Sequence, residues 1–148
     1  MKKPAAFTLA LALSAALSTT AFADDDNRMV QVTAHIDPTY TVTIPANTTV
    51  NFNAVDTSFG AIKLTAAQLD PGKSVKVALS ASGTLKNAAD TNKTLPYKIR
   101  NGDAAFTSAA YTTAGQSTAL TIHIAQEEWN KAYAGNYADT VTFTISYQ

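Results

Sequence analysis

From Val30 to Tyr147, apolar side chains recur at every second position in short runs separated by turn-forming residues. This period constrains the chain more than any other feature. A two-residue repeat puts one face of a strand against a core and the other in water, and a helix cannot satisfy it. Val30, Val32, Ala34 and Ile36 alternate with Gln31, Thr33 and His35 until Asp37-Pro38 breaks the run. Tyr40, Val42 and Ile44 follow and stop at Pro45, and Val50 with Phe52 reads as a short strand. Ile62, Leu64 and Ala66 lead into the turn signal Asp70-Pro71-Gly72, after which Val75, Val77 and Leu79 resume the pattern. Residues 82–94 are polar, rich in Asn and Asp, and read as a loop. Leu95, Tyr97 and Ile99 form a strand in which Pro96 points to a sheet edge. Asn101-Gly102 is a turn, Phe106 sits in a weak strand, and Leu120, Ile122 and Ile124 mark a clear one. Residues 125–134 have faint helical character and read as a turn that pins Trp129 to the core. In the last strand Tyr137, Val141, Phe143, Ile145 and Tyr147 share one face, and Thr140, Thr142, Thr144 and Ser146 the other.

Seven to nine short strands at this spacing predict an all-β fold, an immunoglobulin-like antiparallel β-sandwich. A small barrel is the alternative. Residues 1–23 read as a signal peptide: Lys2 and Lys3 precede an apolar stretch, and Ala21-Phe22-Ala23 is an A-x-A cleavage site. The apolar stretch is shorter than the roughly 20 residues a membrane span needs. The expected product is exported, without direct membrane insertion. The 125 residues left are one domain's worth of chain. With no cysteine, no disulfide or thiolate site is available, so packing and hydrogen-bond ladders hold the fold. Two of the 11 Lys and Arg precede residue 24 and none of the 11 Asp and Glu does, so the remainder carries a net charge of −2. Scattered Lys on a near-neutral chain gives no footprint for nucleic acid.

A search for chemistry finds little. His35 and His123, the only histidines, stand opposite the apolar positions of their strands. There is no G-x-S-x-G, no H-E-x-x-H and no glycine loop for phosphate, and two histidines do not fill a three-ligand zinc site. Glu127 and Glu128 are adjacent and diverge on a strand or a helix, so they make a poor acid–base pair. The acidic triplet at 24–26 lacks the spacing of a calcium loop. The expectation is no enzyme, no metal and no cofactor.

The two ends carry more. Counting from Gln148, Gly135 is fourteenth from the end and Tyr147 penultimate, and every second residue between them faces one way. At the other end a charged leader opens onto a clean alternating run. A strand of that kind can pair with the open edge of another subunit, giving main-chain hydrogen bonds with alternate side chains in pockets.

A glycine and a penultimate aromatic so registered on an alternating terminal strand resemble the assembly motif of chaperone–usher pilins. The run Val32-Thr33-Ala34-His35-Ile36-Asp37-Pro38 resembles the N-terminal segment of the cysteine-free alternate (class 5) fimbrial subunits, and Ala134-Gly135-Asn136-Tyr137 is similar to the start of their last strand. The likeness is detailed over about the first and last dozen residues of the exported chain and only compositional between them. It implies an immunoglobulin-like domain with an incomplete sheet. A periplasmic chaperone lends the missing strand, and an outer-membrane usher exchanges it for the N-terminal extension of the next copy or a related subunit. Carried over, residues 24–37 are leader and donor-strand extension and 38–148 a pilin-like domain. Val30, Val32, Ala34 and Ile36 are donor side chains. Val141, Phe143, Ile145 and Tyr147, with Tyr137, line the acceptor groove and chaperone contact, and Gly135 lets a donor approach closely. The resemblance thus implies a structural subunit of an adhesive surface fimbria. The competing reading is a self-contained secreted or surface sandwich that binds a ligand such as a glycan, with Tyr40, Tyr97, Tyr111, Trp129 and Tyr133 as stacking residues.

Overall fold

The structure, a computed structural model, describes residues 28–148. The expected signal peptide and the acidic start of the leader lie outside them. The chain divides into a segment ending at His35 and a body from Ile36 to Gln148. Residues 28–35 form neither strand nor helix, and Val30 and Val32 are 84% and 91% exposed.

The body holds β1 (Thr39–Thr43), β2 (Asp56–Gln68), β3 (Val75–Ser80), β4 (Thr84–Asn87), β5 (Thr94–Pro96) and β6 (Lys98–Asn101). There follow β7 (Ala104–Ala105), β8 (Ser108–Tyr111), β9 (Ser117–His123), a short helix α1 (Gln126–Lys131), β10 (Tyr137–Ala138) and β11 (Thr142–Tyr147). One sheet runs β1-β2-β9-β6-β7. The other layer is made of β11-β3-β8 and β10-β4-β5. In it β3 and β4 are one strand bent at residues 81–83, and β10 and β11 one strand interrupted at 139–141. Every pairing is antiparallel. The order β1-β2-β9-β6 in one layer, with β3/β4 beside β10/β11 in the other, is that of an immunoglobulin sandwich. There a further strand lies beyond the last one. Among the described residues none does, so β10 and β11 form a sheet edge.

The core follows from the alternation. Ile62 and Leu64 of β2 and Leu120 and Ile122 of β9 meet Val75 and Val77 of β3 and Tyr111 of β8. Leu95, Tyr97 and Ile99 are all buried although the chain changes layer between β5 and β6, because a crossing strand keeps its inward side chains between the sheets. Pro96 does lie on an edge strand, where its missing N–H leaves no gap in the ladder. Within β2 the inward side switches. The register shifts between Ser58 and Gly60, and Gly60 takes φ +104°, so Thr57 and Phe59 face inward before the shift and Ile62 and Leu64 after it. A second shift opposite Thr41/Val42 leaves Ala66 exposed and turns Ala67 inward.

Three segments differ from the sequence reading. Val50 and Phe52 form no strand, since residues 44–55 have no ladder partner. The polar stretch at 82–94 contains β4, held by β10 on one side and β5 on the other. Residues 126–131 are a helix, with Glu127 and Glu128 in its first turn and Lys131 in its last, charges that suit the helix dipole. Trp129 is pinned there, as its Nε1–H donates to the Ala54 carbonyl at 2.9 Å.

Leu64 is fully buried, while Ile145 on the edge is 39% exposed. Leu64→Ala is expected to lower unfolding free energy by about 2–5 kcal/mol, and Ile145→Ala by less than about 1 kcal/mol. Urea unfolding of the isolated chain checks both; equal losses would mean that Ile145 is covered in the free molecule.

Candidate functional site: a groove along the last strand

The outer edge of β10 and β11 has no strand beside it among the described residues. At one end the edge is closed. Tyr147 stacks on Tyr40 of β1 with ring centroids 6.1 Å apart, its hydroxyl donates to Asp70 Oδ2 at 2.9 Å, and it accepts the Asp70 N–H at 2.9 Å. Away from that end the layers part. Beyond β1 the chain leaves its sheet, and residues 44–50 run across from residues 135–143 with two cavities between.

The first cavity, about 470 Å³, has Ile44, Phe59, Val141 and Phe143 on its walls. The second, about 720 Å³, has Phe52, Leu95, Trp129 and Tyr137. Thr48, Val50, Leu85 and Asp139 border both, so the two are halves of one groove, whose apolar walls are interspersed with Asn47, Thr49, Asn136 and Thr140. Phe59 reaches it because of the Gly60 bulge and packs on Phe143 at 6.1 Å. Phe52 stands edge-on to Trp129 at 5.7 Å.

Where β10 is interrupted, Asp139 replaces ladder bonds with side-chain bonds. Its Oδ2 accepts from the Ser82 hydroxyl at 2.7 Å and the Tyr97 hydroxyl at 2.6 Å. Ser82 lies in the bend between β3 and β4, so the two strand breaks are tied together. Burial resists ionisation of Asp139, but these bonds and the backbone N–H groups of Thr140 and Ser82 outweigh it and hold the carboxyl below its usual range. Burial first, then the bond to Asp139 and its charge, push the Tyr97 phenol well above the ordinary tyrosine range, so it stays a donor.

Of the residues expected on the acceptor side, Gly135, Tyr137, Val141 and Phe143 line the groove, whereas Ile145 and Tyr147 lie beyond it toward the closed end. The close approach that Gly135 permits within this chain is by Asn87. Gly135 has φ +143°, and a Cβ there would collide with the Asn87 amide, with Cγ and Oδ1 at 3.1 Å. Asn87 is only 3% exposed; its Nδ2 donates to Ala134 O at 3.3 Å and its Oδ1 accepts from the Ala89 N–H at 2.9 Å. Val50, Phe59 and Leu85 were not among the expected site residues. Gly60, a glycine inside a strand, was the available signal for Phe59; Leu85 sits in a polar stretch that gave none. Asp139 gave one, as the sole charge at an inward position of an apolar run.

The five aromatic residues of the ligand-binding reading do not form one platform. Tyr97 and Tyr111 are buried, Tyr40 stacks on Tyr147 at the closed end, and Trp129 and Tyr133 border the second cavity, Tyr133 with the Lys93 ammonium 4.3 Å from its ring. His123 Nδ1 lies 2.8 Å from Asp56 across the β2–β9 pair. Among the described residues no helix is long and apolar enough to cross a membrane.

No family model matches the chain, and no curated protein does. Among solved structures it is similar to a chain described under the words "Chaperone-tip adhesin complex is vital for synergistic activation of CFA/I fimbriae biogenesis", at 12% identity and a TM-score of 0.48. The alignment covers 72% of this chain and 42% of that one, so this chain spans about two-fifths of its neighbour's length.

Two expectations follow from the groove's construction. Gly135→Ala should cost about 2 kcal/mol or more through backbone strain and the Asn87 clash, read as a lower urea midpoint; an unchanged midpoint would mean that Asn87 shifts freely. A carboxyl held below its unfolded range stabilises the fold above about pH 4, and that contribution disappears as pH falls through its folded pKa. Asp139→Asn should therefore flatten the loss of stability below about pH 4 relative to the natural chain. Parallel profiles in acid urea titrations would show that Asp139 carries none of it.

Proposed function

We propose that this chain is a structural subunit of a surface fimbria supporting bacterial adhesion, joined to its neighbours by donor-strand exchange. The observation that carries the reading is the pairing of two unmet needs in one chain. Among the described residues the last strand has an open edge over a groove partly walled by apolar side chains, and residues 30–36 carry alternating apolar side chains on a segment without a strand of its own. A seven-residue strand spans about 20 Å, and the groove follows residues 135–143 over about 26 Å, so the lengths suit.

In this reading Val30, Val32, Ala34 and Ile36 of one copy enter the groove of the next, and their backbone extends the sheet beyond β10 and β11. Each buried Val or Ile contributes about 1.5–3 kcal/mol. The receiving side chains are Tyr137, Val141 and Phe143, with Ile145 and Tyr147 continuing the edge and Gly135 at the groove's far end. Because donor and acceptor are different surfaces, the contact is head-to-tail and builds an open filament. Before assembly the groove needs a temporary occupant, the role of a periplasmic chaperone, with an outer-membrane usher as the place of exchange. The signal peptide takes the chain to the periplasm and assembly takes it to the cell surface. No cofactor and no catalysis are required.

Deleting residues 29–37 tests this. The shortened chain should fold and bind a chaperone but give a single species in light scattering. The intact chain should give a ladder of multiples that survives SDS without boiling. Ladders from the shortened chain would overturn the donor assignment. A stable, folded monomer from the intact chain would favour the self-contained sandwich, with the cavity beside Trp129 as its ligand site.

A further inference from the structure

The groove has mixed apolar and polar walls, and its one formally charged lining residue among the described ones has a position. Of the side chains lining either cavity, only Asp139 bears a formal charge, and it stands where the cavities meet. It cannot swing aside without breaking the bonds from Ser82 and Tyr97, the second of which comes from a buried phenol. An aliphatic side chain pressed over this carboxylate would strip its remaining water and supply no donor, an unfavourable exchange. A branched side chain therefore fits on either side of Asp139 but not over it.

The exposed segment has a matching irregularity. Its inward series is Val30, Val32, Ala34, Ile36, with three branched residues and one small one. Resting on the donor-strand reading above, we infer that Asp139 is a specificity-determining residue that fixes the register of the incoming strand, by accepting Ala34 and rejecting the bulkier positions. Inward side chains on a strand repeat about every 6.6 Å. With Ala34 over the seam, Val32 and Ile36 enter the cavities on its two sides. A shift by two residues would put Val32 or Ile36 on the carboxylate and leave a cavity underfilled. This holds for either strand direction, since the seam lies between the cavities.

The natural absence of cysteine makes the register directly readable. Thr33 and His35 flank Ala34, and Ala138 and Thr140 flank Asp139 on the outward face, where all four are exposed. Two full-length exported chains would be mixed in urea and refolded together. One carries a single cysteine at Gln31, Thr33, His35 or Asp37, the other at Ala138 or Thr140. After mild oxidation, cross-linked dimers are counted on non-reducing gels. Thr33→Cys and His35→Cys should each link to Ala138→Cys or Thr140→Cys, at least about tenfold above Gln31→Cys and Asp37→Cys, because facing cysteines alone meet disulfide geometry. Linking by positions 31 and 33, or by 35 and 37, or by none of the four, in chains that still form SDS-resistant ladders would overturn the register and leave donor-strand exchange standing. If the unsubstituted chains form no ladder, donor-strand exchange itself fails.

A size test is independent of cross-linking. Ala34→Leu should reduce the ladder by more than about tenfold, and Val32→Leu by less than about twofold. Both positions are exposed in the free chain, so folding is unaffected. Equal effects at the two positions would overturn the role of Asp139.

Discussion

Each strand of a sheet presents a row of N–H and C=O groups on both sides, and each row needs a partner or water. Among the described residues the outer row of the last strand goes without a neighbouring strand, as do those of the other edge strands, but it alone borders the groove at 135–143, and much of the surrounding structure follows from it. With no strand beyond β11 among the described residues, residues 44–50 lie across a gap instead of in a ladder after leaving β1. The inward side chains of 137–143 then face space, and the aromatic residues nearby fill what they can: Phe59 leans on Phe143 and Phe52 on Trp129. An exposed apolar edge is a pairing hazard for a monomer. For a protein that assembles through that edge, it is the binding surface.

The groove keeps its shape through polar contacts placed around it. Asp139 ties the break in the last strand to the bend in β3/β4 and to the phenol of Tyr97, while Asn87 packs into the space that Gly135 leaves open. The main-chain bond from Tyr97 N–H to Gly83 O at 2.9 Å braces the same bend. The groove is thus framed by polar clasps at the 81–83 bend and at Gly135, neither of which depends on a disulfide.

Much of the fold was legible because burial and period coincide. Ile62, Leu64, Val75, Val77, Leu120 and Ile122 announce their strands by alternation, and the same residues form the core. Legibility fails where the period is broken by geometry. The shift at Gly60 turns Phe59 inward against the parity of Ile62 and Leu64, and the shift near Leu64 exposes Ala66. It fails again where partners outweigh composition: β4 reads Thr-Leu-Lys-Asn and is a strand because two neighbours hold it. Val50 and Phe52 show the reverse, with good strand residues and no partner. The last strand's side of the site could be read from its own alternation. The opposite wall could not, because Val50, Phe59 and Leu85 come together only in space.

The clasp of Tyr147 on Asp70 joins residues 77 positions apart. Contacts over such separations form late in folding, since a long loop must close before they bring any gain. The β3–β11 ladder closes a loop of the same scale. So does the β2–β9 ladder of the other sheet, but β9 has a strand on both sides, whereas the last strand is held from one side only. Amide exchange should be faster along the edge formed by β10 and β11 than in β2 and β9, which have strands on both sides, so one wall of the groove opens more readily than the centre of the sheet facing it.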